Sequence, residues 1–104
     1  MNISKNYEDK KLVLAVEGRV DTITSQELEQ SINEEIGNFN SLTLDFEKLE
    51  YISSAGLRVL IATQKKLKKE DVPLEIINVN ETIKEIFRMS GFDKILKILW
   101  VPLN

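Results

Sequence analysis

The chain has 104 residues, with 17 acidic and 14 basic side chains, a formal net charge of -3, and neither cysteine nor histidine. This length suits one domain spanning residues 1–104, and the two missing residue types exclude disulfides, thiol nucleophiles, the usual zinc sites and a serine triad with an imidazole base. The acidic balance argues against nucleic acid as the main partner, and no apolar run is long enough to cross a membrane. The first ten residues lack the apolar stretch of a signal peptide, so we expect a cytoplasmic protein.

The chain begins with a predicted β-hairpin. Residues 2–8 and 11–17 have the composition of strands, and a polar turn of two acidic and two basic residues connects them. The second strand carries apolar side chains on both of its faces, at Leu12, Leu14 and Val16 and at the positions between them. A strand that is apolar on both faces is typical of the centre of a sheet.

A helix is predicted to follow the hairpin. Thr24 and Glu27 fit a capping box, Ile23 and Leu28 fit a hydrophobic staple, and Gly37 is placed to end the helix in a left-handed conformation. The acidic side of this helix is interpreted as a solvated face, and a binding role for its glutamates is the alternative. These glutamates are Glu27, Glu29, Glu34 and Glu35.

The central third of the chain is predicted to contain a strand, a short loop and a helix. Residues 42–46 alternate with the period of a strand, and residues 55–69 carry apolar side chains at helical spacing. Ser53 and Ser54 lie between them, where a serine commonly caps a helix and where unpaired first-turn amides favour negative charge. Gly56 weakens the start of the helix, which indicates a steric demand for close approach to a neighbouring strand.

The C-terminal third is predicted to contain another strand and another helix. Residues 74–77 form the predicted strand, and Asn80 or Thr82 is expected to cap a helix that Gly91 ends. A turn of helix and then a strand are predicted within residues 92–103. The alternation along the whole chain predicts an α/β fold, a single mixed, mostly parallel sheet of four to five strands with helices packed mainly on one face. The predicted core consists of Leu14, Val16, Leu44, Leu60, Ile61, Ile76, Ile86 and Phe87.

Three segments resemble the motifs of one family. The stretch LDFEKLEYISSAGLRVL is similar to the signature of the STAS domain family, and specifically of the bacterial anti-sigma factor antagonists. GRVD at residues 18–21 resembles the family's turn after its second strand, and IFRMSGFDKI at residues 86–95 resembles its closing segment. There is one departure, since Ser53 occupies a position where the family most often has aspartate. The loop is therefore less acidic here than the family pattern implies.

The resemblance implies a phosphorylation switch without catalytic activity, cofactor or metal. In this family an anti-sigma factor that is also a serine kinase phosphorylates the serine before the small residue and glycine, which is Ser54 here. The unmodified protein is expected to bind that kinase and free a sigma factor, and a serine phosphatase is expected to restore it. Asp21 and Asp45 are expected to shape the loop, and Gly56 to permit close approach. The other residues of the expected partner-binding loop are Ser53, Ala55 and Arg58.

Two other functions are compatible with the sequence. The first is a structural STAS subunit of a larger assembly, such as a stressosome-like or lipid-transport complex, in which Ser54 is never modified. The second is an enzyme that uses Ser54 as a nucleophile. No base or oxyanion motif accompanies this serine, so the enzyme is the weakest of the three hypotheses.

Overall fold

The computed structural model of the protein describes residues 1–95. The predicted hairpin is confirmed, since β1 and β2 pair antiparallel from Asn2 with Glu17 to Glu8 with Lys11. β2 continues beyond the predicted boundary to Val20. The elements in chain order are β1 (Asn2–Glu8), β2 (Lys11–Val20), α1 (Thr24–Asn33), β3 (Ser41–Asp45), β4 (Leu49–Ile52), α2 (Ser54–Lys69), β5 (Leu74–Ile77), α3 (Glu81–Ser90) and a 3-10 turn (Phe92–Lys94).

The strands form the mixed, mostly parallel sheet that the sequence predicts. Their order is β1-β2-β3-β5, and β4 pairs with β2 beside this path. Within residues 1–95, only β1 is antiparallel to its neighbour, and the other three pairings are parallel. β3 pairs with residues 11–15 of β2, whereas β4 pairs with residues 18–20. The long central strand β2 therefore supports two shorter strands at successive positions along its length.

β4 is an element that the sequence interpretation missed. Leu49–Ile52 is only four residues long, and its burial follows no strict alternation because the pairing with β2 shifts register between Gly18 and Arg19. Such a short segment has no period that identifies it as a strand. Its pairing with the end of β2 nevertheless decides where α2 begins.

A single apolar cluster lies between the sheet and the helices. Alternate residues of β2 and β3 are buried in it, together with the inward stripes of α1, α2 and α3. The intervening residues Val13, Ala15 and Thr43 are only half-buried on the other face of the sheet. The helices therefore pack on one face, as predicted. Six of the eight predicted core residues are buried, namely Leu14, Val16, Leu44, Leu60, Ile76 and Phe87.

Ile61 and Ile86 do not belong to the fully buried core as predicted. Both are half-buried and pack against the edge of the cluster. Each lies beside a buried residue of the same helix, Leu60 and Phe87 respectively. Because successive helical residues differ by about 100° in direction, a residue next to the centre of the buried stripe lies at the margin of that stripe.

The prediction for the start of α1 was wrong in its contacts. The capping box expected from Thr24 to Glu27 is not formed. Instead, Oδ1 of Asp21 accepts hydrogen bonds from the amides of Ile23 at 2.9 Å and Thr24 at 2.8 Å. Ile23 is 80% exposed, so it forms no staple with Leu28. An aspartate side chain binds amides two and three residues further on more readily than it stays free in such a turn.

Of the other predicted helix ends, the one at Gly37 was wrong, and those at Asn80 and Gly91 are confirmed. α1 ends at Asn33, and Gly37 has a positive φ of 95° in the turns that follow, so it does not directly end the helix. Asn80 is the cap of α3, accepting from the amide of Ile83 at 3.0 Å, and Gly91 ends this helix with φ 80°. The predicted turn of helix is the 3-10 turn at Phe92–Lys94. The strand predicted further on lies outside the described residues.

Candidate functional site

Ser53 is the N-cap of α2. Its backbone is extended, and its Oγ accepts a hydrogen bond from the amide of Gly56 at 3.2 Å. The residue is only 9% exposed. Its own amide donates to the carbonyl of Val20 at 2.8 Å, and its carbonyl accepts from the amide of Leu57 at 2.9 Å. Every polar group of Ser53 therefore serves the junction between β4 and α2. This serine has the capping role that its position before a helix favours.

Ser54 is the first residue of α2, and it is exposed. Because Ser53 caps the helix, the Ser54 hydroxyl has no part in the cap, and it makes no hydrogen bond to the described residues. Ala55, the next residue, is half-buried. The first-turn amides of a helix, together with its dipole, favour negative charge at this end. The Ser54 hydroxyl is thus exposed to solvent at the end of α2 that favours negative charge.

Gly56 satisfies the steric demand that the sequence indicated. A Cβ at this position would lie 2.6 Å from Cγ1 of Ile52 and 2.8 Å from Cγ1 of Val20. Both neighbours are β-branched side chains of paired strands, so neither can move aside easily. The missing side chain lets the first turn of α2 pack directly on the ends of β2 and β4.

Asp21 lies next to this junction. It follows Val20, whose carbonyl accepts from the Ser53 amide, and it is exposed. The backbone hydrogen bond from Thr24 is the main cause that lowers the pKa of the Asp21 carboxyl, with the Thr24 hydroxyl and the Ile23 amide contributing. Asp21 is therefore ionised at neutral pH, and its carboxylate is held in a fixed orientation at the start of α1.

Asp45 is not part of the same cluster. It pairs with Ala15, whereas Ile52, just before Ser53, pairs with Val20. These positions are five residues apart along β2, a separation of about 16 Å. The Asp45 carboxylate instead accepts from the side-chain amide of Asn78 at 3.1 Å and from the backbone amide of Glu47 at 3.1 Å. The structure therefore separates Asp45 from the serine loop. The two segments are close in the sequence, but β3 and β4 pair with different parts of β2.

Two exposed side chains accompany Ser54 on this end of the molecule. Arg58 is one helical turn further along α2, and its guanidinium has no hydrogen bond, ion pair or ring contact within residues 1–95. Ile23 projects from the loop between β2 and α1, which Asp21 orients. The sequence interpretation placed Ile23 in a staple, and the Asp21-x-Ile23-Thr24 spacing of an Asx turn was the signal that could have shown it to be exposed.

The described residues also lack two other features, a metal-binding cluster and a membrane-spanning helix. Residues 1–95 contain no group of three or more acidic side chains placed to hold a metal ion. In the same range, no helix combines the length and apolar character that a membrane span requires. The arrangement at the start of α2 is thus a capped helix end with a free hydroxyl, a fixed carboxylate and a free guanidinium.

A family comparison decides the classification. The model of the STAS domain matches residues 2–101. This chain belongs to the STAS domain family. Among relatives of this STAS chain is the anti-sigma-F factor antagonist RsfB of Mycobacterium tuberculosis, which is 29% identical over 87 residues, or 83% of this chain and 70% of the relative.

Solved structures agree with this classification. An anti-sigma factor antagonist from Mycobacterium paratuberculosis superimposes with a TM-score of 0.86 at 26% identity, covering 96% of this STAS chain and 86% of that one. SpoIIAA in its unphosphorylated form superimposes with a TM-score of 0.80 at 17% identity over 95% of this chain and 89% of that one. SpoIIAA in its phosphorylated form gives 0.74 at 17% identity, with 95% and 92% covered. At this low identity the likeness to SpoIIAA shows the fold.

Proposed function

We propose that this STAS protein is an anti-sigma factor antagonist whose binding is switched off by phosphorylation of Ser54. The observation that carries the proposal is the division between the two serines: Ser53 is buried as the helix cap, and Ser54 is exposed with a free hydroxyl. RsfB and the M. paratuberculosis protein are both named antagonists of anti-sigma factors, and SpoIIAA is known in a phosphorylated form. The active partner is an anti-sigma factor that is also a serine kinase, and a serine phosphatase reverses the modification in the cytoplasm.

Local electrostatics explain how the modification acts. A phosphate on Ser54 adds a charge of about -1.5 to -2 at neutral pH to the end of the molecule that also carries the Asp21 carboxylate, since Val20, just before Asp21, is hydrogen-bonded to Ser53. A docking partner must then face two negative groups, and it must desolvate a doubly charged one, so binding weakens. The unpaired amides of the first turn and the helix dipole tolerate the phosphate, so the helix itself need not unfold.

Asp21 rather than Asp45 is the acidic partner of this switch. The Asp45 carboxylate is separated from the serine loop by a distance of about 16 Å along β2, which exceeds the screening length of about 8 Å at physiological ionic strength. Asp45 also lies between Leu44 and Phe46 in the sequence. Because both of these residues are buried under the helices, the Asp45 side chain is on the other face of the sheet. The exposed Arg58 and the half-buried Ala55 complete the docking face at the start of α2, and the buried Gly56 lets this turn pack on the ends of β2 and β4.

The test is purification of bound partners from native cytoplasm with the unmodified protein and its variants. Ser54→Ala should retain an anti-sigma factor and resist phosphorylation, whereas Ser54→Asp should weaken binding at least about tenfold, or about 1.4 kcal/mol. Ser53→Ala is the matched control, since it leaves the Ser54 hydroxyl in place.

Treatment of each form with the captured kinase and ATP, read by intact mass and fragment assignment, locates the phosphate. Phosphate found on Ser53 would show that Ser54 is the wrong acceptor and that the modified residue is the one before it. Recovery of an assembly or transporter component, with neither serine modified although the partner binds, would replace the switch with the structural-subunit hypothesis. Hydrolysis of a substrate by the purified protein would instead contradict its non-enzymatic role.

A further inference from the structure

The position of Arg58 relative to Ser54 suggests an internal partner for the phosphate. The two residues are four apart in α2, so they lie on the same side of the helix with Cβ atoms about 5–6 Å from each other. Both are exposed. In an i, i+4 pair the favourable order has the acidic group nearer the N-terminus, which is the order that a phosphate on Ser54 and the guanidinium of Arg58 would have.

No other role within the described residues accounts for Arg58. The first turn of α2 contains no acidic residue, and the Arg58 guanidinium has no partner within residues 1–95. A cation near the N-terminal end of a helix also gains nothing from the helix dipole, which favours cations at the other end. The nearest residues of the helix that contribute to packing are Leu57, Val59 and Leu60, and all three are buried. Arg58 is therefore a free cation at a position where helix stability does not call for one.

The competing guanidinium near this end of the sheet is already engaged. Arg19 of β2 lies over the ring of Tyr51, with its Cζ 4.6 Å from the ring centroid. The amide of Gly56 is also engaged, because it donates to the Ser53 side chain. A phosphate on Ser54 is thus left with the amides at the very start of α2 and with Arg58 as donors.

Resting on the function proposed above, we propose that Arg58 pairs with the phosphate of phosphorylated Ser54 and holds it along the first turn of α2. A guanidinium presents two parallel N–H groups that fit the oxygens of a phosphate, and such charge-assisted bonds are stronger than neutral ones. The pairing changes the docking face in two ways. It fixes the new negative charge in one orientation, and it withdraws the free cation from a partner that binds the unmodified form.

The experiment uses the full chain with phosphoserine incorporated at position 54 during synthesis, so it does not depend on the kinase. Phosphorus NMR gives the second pKa of the phosphate as pH is raised from 4 to 8. With Arg58 present, this pKa should lie below that of the Arg58→Gln protein by about 0.2–0.4 units, the shift expected from one exposed i, i+4 pair. Arg58→Lys should give an intermediate value, because lysine keeps the positive charge but lacks the two parallel N–H groups of the guanidinium.

Lys65→Gln is the matched control. Lys65 is exposed on the same side of α2, but it lies eleven residues from Ser54, about 16 Å along the helix axis, so its removal should leave the phosphate pKa unchanged. Equal pKa values for the Arg58→Gln and unsubstituted proteins, with both folded by circular dichroism, would overturn the pairing. A lack of phosphorylation by the kinase would contradict the proposed function but would not alter this titration.

Discussion

Ser53 and Ser54 have the same side chain but different surroundings. The Ser53 hydroxyl is buried against the Gly56 amide, whereas the Ser54 hydroxyl faces solvent. The difference follows from the extended backbone of Ser53, with φ -81° and ψ 171°, which turns its Oγ toward the first helical turn. Because capping requires this one geometry, only one of two adjacent serines can cap the helix, and the other remains available for modification.

Substitution of each serine should separate these two roles. Ser53→Ala removes the cap and should lower the free energy of unfolding by about 0.5–2 kcal/mol, whereas Ser54→Ala should change it by less than about 0.5 kcal/mol. Urea denaturation followed by circular dichroism measures both. Equal losses for the two variants, or the larger loss for Ser54→Ala, would show that the cap is misassigned.

At the scale of elements, β1 is linked to the C-terminal end of α1 by a polar cluster. Lys5 donates to Glu34 at 3.2 Å and to Glu35 at 3.1 Å, and the Tyr7 hydroxyl donates to Glu35 at 2.7 Å. The sequence interpretation treated these glutamates as a solvated face. They contact β1 because the register of the hairpin points Lys5 and Tyr7 toward the helices, on the same face as Leu14 and Leu12.

This cluster predicts a specific dependence on pH. The hydrogen bond from Tyr7 is the main cause that lowers the pKa of Glu35, and partial burial with the same hydrogen bond raises the pKa of Tyr7 to about 12. The lowered pKa of Glu35 stabilises the fold at pH values above 4.5, the ordinary pKa of a glutamate. This contribution is lost as the pH falls through the pKa of Glu35 in the folded state. The raised pKa of Tyr7 stabilises the fold at pH values below 10, the ordinary pKa of a tyrosine. That contribution is lost as the pH rises toward the folded-state pKa of about 12.

Tyr7→Phe removes the donor, so the pKa of Glu35 should rise toward its ordinary value. Carboxyl-carbon NMR titration of the two proteins measures this change. The pKa of Asp21 is the internal control, because its hydrogen bonds come from Thr24 and Ile23 and involve no residue of β1. An unchanged Glu35 pKa in the variant would mean that the hydrogen bond between Tyr7 and Glu35 is not formed in solution.

At the scale of the whole molecule, one apolar core joins the sheet to the three helices in the part of the chain that the structure describes. Phe46, just after β3, contacts Phe87 of α3 with ring centroids 6.4 Å apart, and Leu60 of α2 is completely buried in the same cluster. A chain with a single core is expected to unfold in one cooperative step. The prediction that residues 1–104 form one domain can therefore be tested by its unfolding.

Leu60→Ala should lower the free energy of unfolding by about 2–5 kcal/mol, as the truncation of a buried leucine does. Ile61→Ala, at the half-buried neighbouring position, should cost less. Chemical denaturation is followed by circular dichroism and by the amide signals of β1 and α3. The transitions should coincide for each protein. Separate transitions for β1 and α3 would contradict the single domain, and an equal cost for the two truncations would contradict the assigned inward face of α2.

Much of the fold is encoded in short stretches of the sequence. The hairpin, α2 and β5 follow from period-two and helical spacing, and the caps at Ser53 and Asn80 follow from residue type and position. These features depend on neighbours within about four residues, so the sequence alone contains the necessary information. The identity of the serine that is expected to accept the phosphate follows from a local motif in the same way.

The tertiary structure decided which distant residues meet. The pairing of β4 with the end of β2 brings Asp21 beside Ser53, and the pairing of β3 with residues 11–15 separates Asp45 from them. The contact between Tyr7 and Glu35 likewise depends on how the hairpin and α1 pack together. Strand register is a property of two segments far apart in the chain, and a shift of one residue would turn every side chain to the opposite face. For this reason local periodicity identifies the elements, whereas only their packing determines the composition of the site.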